Sequence, residues 1–191
     1  MMTSTVSTDT DLLRQMRAGT AAAFEALYLR HQGPLFRFAV LRSGSAATAA
    51  DVVQEVFMGL LTGSFKFDPM RGLLQNFLFG VARNLVMKHE QPRQRDAILP
   101  EPDDGADDEP DEGAEPLSRM LSNEQAEAVR RALALLPPHY RDVVILYEMH
   151  DLSYLEIAAI CQLDIGTVRS RLSRGRAALA KRLGAHRPAM I

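Results

Sequence analysis

The chain has 191 residues, 47% of them apolar and 24% charged, with a net charge of −2, a globular balance that suits one medium domain or two small ones. No uncharged apolar run approaches the ~20 residues of a membrane span, and the first ten residues lack the basic and apolar stretches of a secretory signal, so a cytoplasmic chain without membrane insertion is expected. One cysteine, Cys161, forbids an internal disulfide, and neither it nor the five histidines stand at metal-ligand spacing, so no structural metal is expected.

Both halves read as helical and no convincing period-two strand is found, so the expected fold class is all-α, with two small helical domains. In the first half, Asp11 to Gly19 has apolar residues at helical spacing and a glycine stop. A second helix runs from Thr20 through Phe24, Leu27 and Tyr28 to Gly33, and Pro34 opens a third. After Ser43-Gly44-Ser45 comes a helix in which Ala49, Val52, Val53, Val56, Phe57 and Leu60 share one half of the wheel. Asp51, Gln54, Glu55 and Met58 form a narrow polar stripe on its other side. The turn Phe67-Asp68-Pro69-Met70-Arg71-Gly72 leads into a long helix from about Leu73 to Gln91. Leu74, Phe77, Leu78, Val81 and Leu85 should point inward there, with Asn76, Arg83, Asn84, Met87 and Gln91 on the outer arc and Lys88 at its edge.

Charge is segregated along the chain. Residues 1–95 hold 11 bases and 7 acids, residues 96–116 hold no base and 10 acids, and residues 117–191 again hold 11 bases and 7 acids. The acidic stretch, with four prolines and two glycines between Leu99 and Pro116, has almost nothing to bury and cannot offset its ordering entropy. It reads as a flexible linker over 96–118, between domains at 9–95 and 119–185.

In the second half, Ser122 and Gln125 have the spacing of a capping box before Ala126, Val129, Leu133 and Leu136, and Pro137-Pro138 ends that helix and opens the next. Ser153 and Glu156 form another capping box, with Leu152 and Ile157 as its hydrophobic staple. A short helix from Tyr154 to Cys161, a turn over 162–165 and a helix from Thr167 to about Leu183 make a helix-turn-helix. Val168, Leu172, Gly175, Leu179 and Leu183 occupy one narrow face of the last helix. The opposite face carries Arg169, Ser170, Ser173 and Arg174, with Arg171 and Arg176 at its borders. Arginines suit guanine edges and phosphates, and hydroxyls suit either, so this face reads as a DNA-binding surface. From Ile165 onward there are seven bases and no acid.

The run from Leu152 to Arg176 closely resembles region 4 of the extracytoplasmic-function sigma factors of bacterial RNA polymerase. The first half agrees with this independently. Asp51-Val-Val-Gln-Glu-Val-Phe57 is similar to the region 2 segment that docks on the polymerase clamp helices. Phe67-Asp-Pro-Met-Arg-Gly72 with Val81-Ala-Arg-Asn-Leu85 is similar to the part that engages the −10 promoter element. The resemblance covers about 9–92 and 120–183. It implies a dissociable, non-enzymatic initiation subunit with core RNA polymerase and promoter DNA, duplex and melted non-template strand, as partners. An anti-sigma protein is a further implied partner, and no obligate homo-oligomer and no cofactor are implied. Stress response is the implied setting.

On that resemblance Asp51, Gln54, Glu55 and Met58 contact the polymerase. Phe65, Lys66, Arg83, Asn84 and Lys88 meet the −10 strand, and Arg169, Ser170, Arg171, Ser173, Arg174 and Arg176 read the −35 duplex. A captured strand needs cations, aromatic surfaces and amides that read a flipped base, which these residues supply. Phe65 reads equally as a wall of the base pocket or as a core plug.

The chain departs from the family pattern in four places. Phe77 stands where many relatives have Trp and Gly80 where a basic residue is common. Gln162 replaces a usual turn glycine and Asp164 a usual proline, so a left-handed turn at a non-glycine residue is expected. Two other functions compete. A self-sufficient helix-turn-helix repressor or activator would need a dimer surface and no polymerase stripe, and a sigma mimic would have lost the recognition-helix arginines. No nucleophile–base pair, carboxylate dyad, phosphate-cradling loop or metal cluster supports an enzyme.

Overall fold

The computed structural model describes residues 7–94 and 123–184. The acidic segment, the Ser122 cap and the end of the second expected domain lie outside the described residues. Eight helices follow in order: α1 (Asp9–Arg17), α2 (Ala21–Ser43), α3 (Ala46–Thr62), α4 (Leu74–Gln94), α5 (Asn123–Ala134), α6 (Pro138–Glu148), α7 (Tyr154–Cys161) and α8 (Ile165–Gly184). A 3-10 turn over Pro69–Arg71 precedes α4.

The first four helices surround a core in which Leu27, Leu35 and Phe38 of α2 meet Val52 and Val56 of α3 and Leu78, Phe79 and Val86 of α4. Side-chain caps start α1, at Thr8, and α3, at Ser45. The Ser45 hydroxyl accepts from the Thr48 N–H at 3.2 Å, and Gly44 ends α2 in a left-handed conformation. All six residues assigned to the inner face of α3 are buried, while Asp51, Gln54 and Met58 are exposed.

Two features of this half differ from the expectation. α2 runs unbroken through Pro34 instead of dividing there. Gly33 precedes the proline and has no Cβ to collide with its ring, which removes much of the usual bar to helix before proline. The buried stripe Ala23, Leu27, His31, Leu35, Phe38 continues across the junction and holds both turns on the same core. α4 is also buried over a wider arc than expected. Phe79, Ala82 and Val86 are buried, while Phe77 and Val81 are only half-buried.

The reason lies in the second half of the chain, which packs against the first. α6 and α5 contact α2, and α7 contacts α4, so α4 has neighbours on two sides. Phe79 sits edge-on to Phe38 at 5.7 Å and to His150, at the end of α6, at 4.7 Å. α6 and α8 pack closely because Gly175 allows it: a Cβ there would lie 2.6 Å from Val144 Cγ2. The capping box of α7 is complete, with Ser153 Oγ accepting from the Glu156 N–H and the Glu156 carboxylate accepting from the Ser153 N–H at 2.9 Å. Gln162 closes α7 at φ 58°, ψ 48°, the left-handed turn expected without glycine, at a cost of about 1 kcal/mol.

His150 supplies a test of this packing. Burial against the two phenylalanines, with Arg37 nearby and Asp151 only partly compensating, lowers its pKa from 6.5 to about 4, and Nε2 has no hydrogen-bond partner. Between these values the unfolded chain binds a proton that the folded chain does not. The contribution is therefore complete above pH 6.5 and is lost as the pH falls toward 4. Urea midpoints should decline across that window, and the decline should be shallower in His150→Phe. Equal slopes in the two proteins would contradict the burial.

Candidate nucleic-acid interface

Three surfaces carry the residues singled out in the sequence. On α3, Asp51, Gln54 and Met58 stand exposed in one stripe, extended by Leu61, whose side chain is half open to solvent. Glu55 lies in the same stripe but near two basic side chains of α4, 3.8 Å from Lys88 Nζ and 3.7 Å from His89 Nε2. Both contacts are exposed and count for little.

The second surface is a cleft of about 520 Å³ between the loop before α4 and α4 itself. Lys66, Phe67, Arg71, Phe77 and Asn84 line it, with Ala159, Ile160 and Gln162 of α7 and its turn on the far side. Asp68 builds the loop by accepting from the Met70 N–H at 2.9 Å. Phe67 and Phe77 pair beside the cleft with centroids 5.5 Å apart; Phe67 is buried, so the accessible aromatic surface is that of the half-buried Phe77. Phe65 lies elsewhere. Its ring rests on α3, where a Cβ at Gly59 would fall 2.0 Å from Phe65 Cδ2, and its N–H donates to the Gly59 carbonyl at 3.0 Å. Of the two readings left open for Phe65, this placement is the plug.

The third surface is the outer side of α8. Asp164 starts that helix, accepting from the Thr167 N–H at 2.8 Å and the Thr167 hydroxyl at 2.6 Å, and these bonds hold its carboxyl below the usual range. Val168, Leu172 and Leu179 anchor the inner face, as expected. Arg169 is exposed, while Ser170, Arg171, Ser173 and Arg174 are half-buried. Arg176 does not belong to this surface. Its Nε donates to the buried Glu148 at 2.6 Å and its guanidinium lies 4.8 Å over the Tyr147 ring. A carboxylate buried to 3% exposure requires a cation, and Arg176 supplies one.

Arg83 is the other departure. Its Nε donates to Asp142 Oδ2 of α6 at 2.7 Å, and the second oxygen of Asp142 accepts from Arg42 Nε at the end of α2. Arg42, itself buried, donates from Nη1 to Glu90 of α4 at 2.6 Å, and Arg141 donates to the Arg42 carbonyl at 2.7 Å. Asn76, also placed on the outer arc of α4, donates to Glu156 of α7 at 3.2 Å. Asn84 and Lys88 remain exposed. Sequence reasoning missed Arg42, Glu90, Asp142 and Glu148. The available signal was two acids in α6, Asp142 and Glu148, flanking the apolar run Val143, Val144, Ile145, Leu146 and Tyr147. Cys161 lies buried beside this cluster, and burial pushes its thiol up to about 12, the state of an inert core residue.

Comparison with known proteins identifies the family. The sigma-70 region 2 family model matches residues 27–95, and the sigma-70 region 4 family model matches residues 126–179. The ECF RNA polymerase sigma-E factor of Escherichia coli (strain K12) is 33% identical over 183 residues, covering 90% of this chain and 92% of that protein. The chain belongs to the extracytoplasmic-function sigma factors. Two solved members of this fold resemble it. CnrH, in complex with the cytosolic domain of CnrY, has a TM-score of 0.69 at 25% identity and covers 94% of this chain and 99% of its own. RpoE, in complex with the anti-sigma factor NepR from Bartonella quintana, has a TM-score of 0.63 at 27% identity, covering 86% and 98%. Among the described residues no helix is long and apolar enough to cross a membrane.

The two arginines on either side of the α8 border should behave differently. Arg176→Ala strands the Glu148 carboxylate in the core and should cost about 3 kcal/mol in urea unfolding. Arg169→Ala, at an exposed position, should stay within about 0.5 kcal/mol of the parent. Equal effects would show that Arg176 is a surface residue.

Proposed function

We propose that this sigma factor docks on core RNA polymerase through the α3 stripe, reads −35 duplex DNA with the outer side of α8, and takes the melted −10 strand into the cleft beside α4. The observation that carries this is the outer side of α8. A helix capped by Asp164 and fixed on its inner face by Val168 and Leu172 leaves Arg169, Ser173 and Arg174 toward the outside, the geometry by which a recognition helix enters a major groove. In the cleft, Lys66 supplies a cation, the half-buried Phe77 a stacking surface and Asn84 the amide for base reading, with Lys88 exposed farther along α4. Asp51, Gln54, Glu55 and Met58 supply an acidic and apolar stripe for a basic partner surface.

The role is regulatory, and the chemistry of RNA synthesis belongs to the polymerase. In this reading region 2 spans 9–95 and region 4 spans 119–185. The ten-acid segment between them follows a basic channel of the enzyme that nucleic acid otherwise occupies. The chain works in the cytoplasm, and an anti-sigma protein is its inhibitor, as the complexes of CnrH and RpoE suggest.

Transcription with purified core polymerase on a genomic library, with start sites mapped, tests the reading: new starts should occur only when this chain is added. Asp51→Lys should weaken core-polymerase binding about tenfold, ~1.4 kcal/mol, without moving the thermal melt. Arg169→Ala should lower the salt slope of duplex binding by about one phosphate's worth, ~0.9. An unchanged polymerase affinity, or an unchanged slope, would remove the corresponding residue from its surface.

A further inference from the structure

We propose that two copies of the chain pair through the outer face of α2, antiparallel and across a two-fold axis at the level of His31. This pairing is independent of the sigma reading.

α2 is apolar on two sides. Ala23, Leu27, His31, Leu35 and Phe38 lie on its buried side. On the opposite side of the wheel a second stripe runs through Ala22, Ala26, Leu29, Gly33, Phe36 and Val40, with steps of four, three, four, three and four residues. Those steps make a coiled-coil seam, whereas the outer face of a surface helix is ordinarily polar. Leu29 is 64% exposed and Phe36 38%, and a Cβ added at Gly33 would meet open space. Ala22 is exposed as well, while Ala26 and Val40 are half-buried. From Ala22 to Val40 the seam is about 27 Å long.

The order of side chains along the seam points to its partner. Positions symmetric about residue 31 match large with small: Val40 faces Ala22 of the second copy, Phe36 faces Ala26, and Leu29 faces Gly33. Each layer of an antiparallel pair then holds one bulky and one small side chain, so the two helices can approach evenly along their length. A parallel pair would set Phe36 on Phe36 and Gly33 on Gly33, a clash beside a void. An unrelated partner helix imposes no such symmetry, whereas a pair of identical surfaces requires it.

Charge does not oppose the contact. Arg30, which flanks the axis, is already paired with Asp9, and Gln32 on the other edge is neutral. A single helix pair is at the small end of specific interfaces, so the dimer should form and separate at about micromolar concentrations instead of being obligate.

Sedimentation equilibrium of the full chain over a concentration series tests the pairing. The parent should pass from monomer to dimer. Leu29→Glu, which sets a carboxylate into two layers of the seam, should raise the dissociation constant at least about tenfold. Leu155→Glu, the same change at an exposed position of α7, should leave it unaltered. A helical circular-dichroism spectrum and a cooperative melt confirm that each variant is folded, and Phe36→Glu replaces Leu29→Glu should the latter fail. Register is read by mild oxidation of Ala22→Cys chains mixed with Val40→Cys chains. The mixed disulfide should exceed either self-pair, and the buried Cys161 takes no part. A parent that stays monomeric, a dissociation constant unmoved by Leu29→Glu or moved equally by Leu155→Glu, or an excess of self-pairs each overturns the proposal. A monomeric parent whose affinity for core polymerase falls in Leu29→Glu would overturn it in favour of the polymerase as occupant. Absence of transcription with core polymerase would instead overturn the sigma reading, leaving the sedimentation result standing.

Discussion

One carboxylate holds the molecule's two halves in register. Asp142 is 2% exposed and lies between the guanidinium groups of Arg42, at the end of α2, and Arg83, in the middle of α4. A charge so placed is tolerated only if its partners arrive from the other half of the chain, so the cluster admits one mating of the two helical units and penalises others. The apolar contacts follow that register. His150 falls between Phe38 and Phe79, and α7 falls beside Gly80.

The consequence is a division of labour along α4. Its inner arc, with Leu78, Phe79 and Val86, belongs to the core of region 2. Its outer arc offers Asn84 and Lys88 to solvent and Asn76 and Arg83 to region 4. In the sigma reading Asn84 and Lys88 are the part of this arc left open for the −10 strand.

Local features were legible in the sequence because their causes are local. The Ser153 and Glu156 box, the left-handed turn at Gln162, the inner faces of α3 and α8 and the outward stripe on α3 each follow from a few neighbouring residues. What was not legible depended on residues about 30 to 100 positions away, as the pairs Arg176–Glu148, Arg83–Asp142 and Arg42–Asp142 show. A wheel distinguishes apolar from polar faces, but it cannot tell an arginine held by a buried carboxylate from one waiting for phosphate. That is why the carboxylate partners of Arg83 and Arg176 went unforeseen, and why Phe79 and Val86 were missed as core. Pro34 failed as a breaker for a related reason: the stripe from Ala23 to Phe38 outweighed a local rule already weakened by Gly33.

If Asp142 fixes the register of the two halves, exposed positions 29 and 155 stand at one defined separation in the folded chain. Spin labels at exposed positions 29 and 155 measure this directly, since Cys161, buried with its thiol pushed up to about 12, stays unlabelled. The parent protein should give one narrow distance, and Asp142→Asn should broaden or lengthen it while the chain stays helical. The same narrow distance in both proteins, or a broad distribution in the parent, would contradict the account.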